Sequence, residues 1–382
     1  MNEKNFCPGF VFVRTSHHKD SDSITDMHFD AAVYRIGDVD KDMENRLIWK
    51  LPHIIVEMKG KGSADPYCDD CSKDDILDSV SDIPVGARGQ MLAYAALQME
   101  HQPRNFAFSV GIYGQYARFY RSDSSSIVVS ARFNIQEEPR TLVEFFLRYS
   151  ALTPVQRGFD PTVVPATDKE KDLFNSQIKS YLKRVKDGKL RQHPDIHKDI
   201  GDEYFPVLRA QVNTDTDGDP RWYLICRLKS PSINYSPCGR FTRGFVAVPI
   251  VAPEPQAENL KEQTEKPAVL EGEEGKLYWL KDSWRPANGV AEFSIYQHLQ
   301  AKSVTNLPKV ICGGDVHYGG EVQQTENDLL LTNKRASKWR RKTANIRSMV
   351  HHRLVQELLI PLIHVKTATE LVKGGRDVMV CK

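Results

Sequence analysis

The sequence predicts an α+β protein with two sheet-containing parts, and three observations support this class. Strand-like segments between Phe29 and Phe133 surround one helical segment, which indicates an amino-terminal mixed sheet. The spacing of Thr167-Asp-Lys-Glu170 is that of a capping box, so a helix should begin there. A second group of strand-like segments begins at Trp222. We therefore predict an amino-terminal domain, a helical connector and a second domain at 1–150, 151–215 and 216–382.

Alternating apolar residues and helical spacing locate the elements of the first domain. The segment 86–100 is rich in alanine and places Met91, Ala95 and Gln98 on one face, as a packed helix would. The segment 141–149 groups Phe145, Phe146 and Tyr149 as a second helix would. Strands are predicted at 29–36, 53–59, 105–112, 116–121 and 127–133.

The second domain is predicted to open with two strands joined by a turn. The strands are 222–228 and 245–251, and the turn is 236–244. Residues 252–275 are rich in proline, glutamate and glutamine, which predicts a long hairpin excursion with little to bury. The next strand carries Lys281.

Composition excludes several classes of protein. The chain has 382 residues, 40% hydrophobic and 27% charged, with a net charge of +2 that gives no overall attraction to nucleic acid or membranes. Seven cysteines are too few for a disulfide scaffold, and we predict that Cys68 and Cys71 are free thiols in a surface loop. The apolar run 358–365 is short and contains Pro361, so no membrane partner is expected. The amino terminus has no signal-peptide pattern, which favours an intracellular protein, cytoplasmic or nuclear.

Two opposite charges should meet in the second domain. Period-2 alternation puts Lys281 on the same strand face as Leu277 and Trp279, where an ammonium is costly without a carboxylate. In the helix that follows, Glu292 shares an apolar stripe with Ile295, Tyr296 and Leu299. We therefore predict a buried Lys281–Glu292 ion pair, the device that positions the nucleotide in a protein-kinase small lobe.

Four segments carry a resemblance to one family. They are Arg88-Gly-Gln-Met-Leu-Ala-Tyr94; Gln102-Pro-Arg-Asn-Phe-Ala-Phe108 with Tyr116-Ala-Arg-Phe119; Phe145-Phe-Leu-Arg-Tyr149 with Gln156-Arg-Gly-Phe-Asp-Pro-Thr162; and Leu280-Lys-Asp-Ser-Trp-Arg285. With them the chain resembles the fungal-type protein kinase family, whose members join an amino-terminal domain to a divergent kinase domain. The resemblance implies ATP, with magnesium, as the ligand and a partial kinase-like small lobe as the second domain.

The resemblance also implies which residues contact the nucleotide. Lys281 matches the family's lysine and Glu292 is the glutamate best placed to pair with it. Gly239 and Gly244 fall where a phosphate-binding loop belongs, but Phe241 stands in place of that loop's second glycine and should hinder a close wrap around phosphates.

The residues needed for phosphoryl transfer do not follow. The sequence contains neither a His-Arg-Asp loop nor Asp-Phe-Gly, so no catalytic residue is assigned. The segment 353–358 resembles the last small-lobe strand and 367–380 the first large-lobe helix, which indicates a kinase truncated before its catalytic loop. A longer form would be expected to phosphorylate serine or threonine.

A second function class rests on Asp30, Glu57 and Lys59. An aspartate at one strand and Glu-x-Lys on the next resemble the core of PD-(D/E)XK nucleases, with Gln90 on the following helix as a helper. In such a site the carboxylates hold magnesium, the lysine orients or activates water, and nucleic acid is the partner. Inheritance of this pattern without activity is the competing interpretation.

A third class is an interaction module with neither activity, whose partners would be proteins such as substrates or regulators. The basic segment 333–342 around Trp339 could serve nuclear import or phosphate contacts, or it could be a solvated insertion.

Overall fold

The computed structural model describes residues 2–15, 27–39, 48–69, 81–188, 196, 206–214, 219–228, 236–252, 267–327 and 346–359. The chain divides into two compact units. The first comprises Met1–Pro161, Pro231–Phe241 and Thr325–Ser348, and the second comprises Thr162–Ser230, Thr242–Gln324 and Met349–Lys382.

The first unit is built on a mixed sheet. Its strands are β1 (Phe10–Arg14), β2 (Ala31–Arg35), β3 (Ile54–Lys59), β4 (Phe106–Tyr113), β5 (Tyr116–Asp123), β6 (Ile127–Val129) and β7 (Phe133–Asn134). The order is β1-β2-β3-β4-β5-β6, with β7 also pairing with β5. Only the β3–β4 pair is parallel among these strands.

A helix covers each face of this sheet. Parallel strands need a crossover, and α1 (Asp82–His101) supplies it between β3 and β4. The small alanines of α1 let it pack closely, and its Tyr94 and Leu97 meet the face that carries Ala32 and Ile55. On the other face, α2 (Pro139–Ala151) packs Phe146 and Tyr149 against Val33, Ile54 and Val56.

The second unit is built on an antiparallel sheet. Its strands are β8 (Val163–Pro165), β9 (Leu208–Val212), β10 (Arg221–Arg227), β11 (Arg243–Ile250), β12 (Tyr278–Pro286), β13 (Val310–Asp315) and β16 (Met349–Glu357), with a separate hairpin of β14 (His317–Tyr318) and β15 (Glu321–Val322). The order is β13-β16-β12-β11-β10-β9-β8. Its helices are α3 (Asp168–Lys186) and α4 (Glu292–Ala301).

The helix α3 covers one face of the second sheet. The Thr167 hydroxyl accepts a hydrogen bond from the Glu170 amide, and the Glu170 carboxylate accepts one from the Thr167 amide at 2.7 Å, so the predicted capping box is confirmed. Phe174, Ile178 and Tyr181 then pack on the sheet. The opposite face has its own core, formed by Tyr223, Ile225, Ala247, Leu280 and Val355.

The predicted α+β class is confirmed, as are most of the elements that periodicity located. The predicted helical connector, 151–215, contributes β8, α3 and β9 to the second unit, which begins at Thr162. The strand predicted at 127–133 is two short strands, β6 and β7, that both pair with β5. Most of the predicted hairpin excursion, residues 253–266, lies outside the described residues.

Candidate functional site

The lysine of the second unit sits on a strand with neighbours on both sides. β12 pairs with β11 and with β16, so its backbone hydrogen bonds are satisfied and its position is fixed. Lys281 lies opposite Gly244 on β11 and opposite Leu354 on β16. The side chain of Lys281 can still contact a group outside the sheet.

That partner is Glu292, as predicted. The Lys281 Nζ atom lies 2.7 Å from Oε1 and 2.8 Å from Oε2 of Glu292. The two side chains are 25% and 20% exposed, so the pair is half-buried rather than fully enclosed. Glu292 is the first residue of α4, where a carboxylate also meets the positive end of the helix dipole. The geometry leaves an ammonium that is held in place and still reachable from solvent.

The apolar stripe predicted beside Glu292 is only partly correct. Ile295 is 45% exposed, while Tyr296 and Leu299 are half-buried. The reason is that α4 meets the sheet through Phe293, whose ring lies at β13 against Gly313. Because this short helix packs on the sheet through its first turn, the side that carries Ile295 faces solvent.

The two glycines assigned to a phosphate loop have structural tasks. The Gly239 amide donates a hydrogen bond to the Ser124 carbonyl at 2.8 Å within the first unit. Gly244 belongs to β11, and a Cβ atom there would lie 1.9 Å from Cζ2 of Trp279. Phe241 is buried with φ of +37°, a left-handed conformation that is uncommon for a bulky residue. A nucleotide-binding role for Gly239 and Gly244 stays a prediction.

Sequence reasoning missed a buried charge cluster beside Lys281. Asp282 lies on the opposite face of β12 and accepts hydrogen bonds from Arg243 at 2.8 Å, Arg353 at 2.9 Å and His351 at 2.9 Å. Burial alone would raise the pKa of Asp282, but Arg243, His351 and Arg353 hold that pKa well below its usual range. The His351 ring also stacks on Trp284 at 4.6 Å. These partners come from β11 and β16, so no local spacing revealed them.

A second carboxylate, Asp315, repeats this arrangement near the surface. Arg285 donates to it at 2.9 Å and 2.5 Å, and His352 lies 3.0 Å from it. Burial opposes the shift, but the hydrogen bonds from His352 and Arg285 lower the pKa of Asp315 below its usual range. Both histidines of the His351-His352 pair therefore contact a carboxylate.

The first unit brings Asp30, Glu57 and Lys59 together. Ala31 pairs with Val56, which puts Asp30 opposite Glu57 at adjoining ends of β2 and β3. Asp30 Oδ2 accepts a hydrogen bond from the Met58 amide at 2.7 Å. The Lys59 Nζ atom donates to Glu57 Oε1 at 2.6 Å. The three predicted side chains thus form one cluster on the sheet face that α1 covers.

Glu57 is the buried member of this cluster. It is 3% exposed, and its Oε2 atom has no hydrogen-bond partner among the described residues. Burial raises the pKa of Glu57, Asp30 raises it further, and the hydrogen bond from Lys59 opposes the shift. The hydroxyl of Tyr94 on α1 also interacts with Glu57 and lowers its pKa, but it donates its proton to the His28 carbonyl at 2.7 Å. Gln90, one turn before Tyr94, is half-buried on α1.

Several other predictions have different outcomes. Cys68 is disulfide-bonded, so the prediction of two free thiols is wrong; C-x-x-C spacing suits a dithiol and a disulfide equally. Cys71, the basic segment 333–342 and the predicted helix 367–380 lie outside the described residues. In the part of the chain that the structure describes, no helix combines the length and hydrophobicity needed to cross a bilayer.

Comparison with known proteins gives a family match over part of the chain. Residues 78–190 match the family described as fungal protein kinase. The predicted resemblance is therefore confirmed for this segment, which is under a third of the chain and contains three of the four motif blocks. Lys281 and Glu292 lie beyond it. No curated protein and no solved structure gives a significant match.

Proposed function

We propose that the second unit binds ATP, with the Lys281 ammonium contacting the phosphates and Glu292 holding that ammonium in position. The observation that carries the proposal is the contact of Lys281 Nζ with both Glu292 oxygens, at 2.7 Å and 2.8 Å. In protein kinases the lysine of one small-lobe strand pairs with the glutamate of the next helix, and the lysine reaches the phosphates. The kinase family match at residues 78–190 makes the same use of this pair reasonable.

Exposure of the pair also suits a ligand. A half-buried lysine and glutamate contribute at most about 1 kcal/mol to stability, because water competes for both charges. The pair therefore does little for the fold by itself. The Lys281 side chain is one quarter exposed, and its ammonium has three donors, so it can add a phosphate oxygen to its contacts without breaking the ion pair.

Magnesium would enter this site with the nucleotide. Among the described residues, no group of three or more His, Cys, Asp or Glu side chains could hold a metal ion. The kinase motifs that hold magnesium and position the substrate hydroxyl do not occur in the sequence. The proposal is accordingly limited to nucleotide binding, and transfer to serine or threonine is not part of it.

Thermal unfolding of the full chain with ATP and magnesium tests the proposal. Saturation at a hundred times Kd should stabilise the wild type by about 2.7 kcal/mol. Lys281→Met removes the ammonium but keeps a side chain of similar length, and it should abolish the shift. Lys276→Met is the matched control, because Lys276 is also paired with a glutamate but is 42% exposed and lies outside the sheet. Equal shifts in the wild type and Lys281→Met would refute nucleotide binding at this lysine.

A further inference from the structure

We propose that Asp30 and Glu57 of the first unit hold a divalent metal ion with a preference for oxygen ligands, and that this site hydrolyses phosphodiesters with Lys59 contacting the phosphate. The site is separate in residues and in chemistry from the proposed nucleotide site. The two proposals can therefore be tested and refuted independently of each other.

The topology puts the cluster at the carboxyl end of a parallel strand. Glu57 and Lys59 lie at the carboxyl end of β3, the strand that runs parallel to β4. The crossover helix α1 must run antiparallel to both strands, so its first half covers their carboxyl ends. Ligands of α/β units bind beyond the carboxyl ends of such strands. Gln90 belongs to this first half of α1.

The unpartnered oxygen of Glu57 points to a missing ligand. Glu57 is nine-tenths buried or more, yet only Oε1 is hydrogen-bonded, by Lys59. Its Oε2 has no partner in the described part of the chain. A buried carboxylate oxygen left without a donor costs free energy, and a cation bound there would remove that cost.

Asp30 is fixed in position to act as the second ligand. Its Oδ2 atom accepts the Met58 amide at 2.7 Å, and that contact ties the carboxylate to the strand that carries Glu57. The opposite-strand register brings Asp30 beside Glu57. The carboxylate pair thus has one member held by backbone and one member with a spare oxygen.

Two carboxylates are enough for magnesium or manganese. Magnesium is commonly bound by one or two carboxylates, with water and substrate phosphates completing the octahedron. The lack of a third acidic or histidine ligand among the described residues therefore fits a magnesium-type site. It argues against zinc, which takes three or four protein ligands.

The chemistry follows from the charges. A metal-bound water loses a proton to solvent, and its oxygen forms a new bond to phosphorus. The ester P–O bond breaks, and the leaving alkoxide takes a proton from water. Lys59 is half-exposed beside Glu57, so its ammonium can contact a phosphate oxygen as negative charge builds there.

Manganese binding to the full chain tests the metal site directly. Electron paramagnetic resonance of free Mn²⁺ measures the bound fraction without any activity. Asp30→Asn and Glu57→Gln should each weaken binding about tenfold or more. Glu137→Gln removes an exposed carboxylate in the same unit and should leave binding unchanged. Absence of binding by the wild type, or equal binding by the wild type and Glu57→Gln, would overturn the proposal.

Cleavage of 5′-labelled DNA and RNA oligonucleotides with Mg²⁺, and without any nucleoside triphosphate, tests the reaction. Wild type and Glu137→Gln should cut, and Glu57→Gln should lose about tenfold or more in rate. Lys59→Ala should keep Mn²⁺ binding and lose cleavage. Metal binding without cleavage of either nucleic acid would overturn the hydrolytic part, and cleavage that Glu57→Gln retains would overturn the site. Far-ultraviolet circular dichroism of each variant separates these outcomes from misfolding.

Discussion

Each unit carries a lysine–glutamate pair on its sheet, and the two pairs differ in how completely the carboxylate is satisfied. Lys281 contacts both oxygens of Glu292, which comes from a separate helix. Lys59 contacts one oxygen of Glu57, two residues away on its own strand, and leaves the other without a donor among the described residues. The glutamate exposures are 20% and 4%, so the incompletely satisfied carboxylate is also the more buried one.

This difference separates two uses of the same residue types. A carboxylate whose oxygens both meet one ammonium serves to hold that ammonium in place. We propose that a buried carboxylate with one oxygen left without a donor beside Asp30 serves as a cation ligand.

The largest effect is expected next to Lys281, at Asp282. Asp282→Asn leaves Arg243, Arg353 and His351 buried around a neutral side chain. Loss of one member of a buried ionic network costs about 3–5 kcal/mol. Urea unfolding should show this loss in the second unit. Asp168→Asn, at a carboxylate that is almost fully exposed, should change little. A small effect of Asp282→Asn would mean that the cluster does not anchor the strand of Lys281.

The next effect concerns His53, at the start of the strand that carries Glu57. Burial lowers the pKa of His53 to about 3, with a further contribution from Arg104 and Arg157. The unfolded imidazole binds protons below pH 6.5, so this contribution to stability is full above pH 6.5 and is lost as the pH falls toward 3. The loss should reach about 3 kcal/mol at pH 4.

Unfolding free energies between pH 7 and pH 4 measure this dependence on His53. In His53→Gln the dependence should be flatter by that amount, whereas His298→Gln, at an exposed imidazole, should follow the wild type. Identical pH profiles for His53→Gln and the wild type would contradict the assignment of the acid sensitivity to His53.

Gly244→Ala separates a packing role from a phosphate-binding role at the residue opposite Lys281. The new Cβ would lie 1.9 Å from Trp279, so the indole must move, at a cost of about 1–3 kcal/mol. In a Trp279→Leu background the same substitution should cost less. A fall in ATP affinity without any loss of stability would instead favour the phosphate-binding role.

The sequence predicted these elements well where one local pattern was sufficient. The capping box at Thr167 and the alternation around β3 and β12 depend on residues within a few positions. The strand β13, Val-Ile-Cys-Gly-Gly-Asp, was missed because its two glycines lower strand propensity. It forms because β16 supplies a neighbour.

The same distinction between local and distant partners applies to the candidate sites. The Lys281–Glu292 contact could be predicted because an eleven-residue separation joins one strand to the next helix. The partners of Asp282 could not, because Arg243 and His351 come from strands 39 and 69 residues away. Likewise, the sequence showed Glu57 beside Lys59 but gave no sign that one of its oxygens would be left without a donor.

The smallest expected effects are the changes in stability of the metal-free protein when each glutamate is replaced, and the two changes are opposite in sign. Glu292→Gln weakens a half-buried ion pair and should lower stability at pH 7 by about 1 kcal/mol or less. Glu57→Gln removes a buried charge whose pKa burial raises, and its amide oxygen can still accept from Lys59. It should raise stability at pH 7 by up to about 1 kcal/mol.

Acid distinguishes the origin of this gain. The raised pKa of Glu57 means that protonation favours the folded state; its contribution is full below the usual carboxyl pKa and is lost as the pH rises through the folded value. The advantage of Glu57→Gln should therefore shrink as the pH falls, and Mg²⁺ should reverse it at pH 7 by stabilising only the wild type. If both substitutions lowered metal-free stability alike, the two carboxylates would be equally well satisfied, and Glu57 would be an ordinary structural residue rather than a ligand.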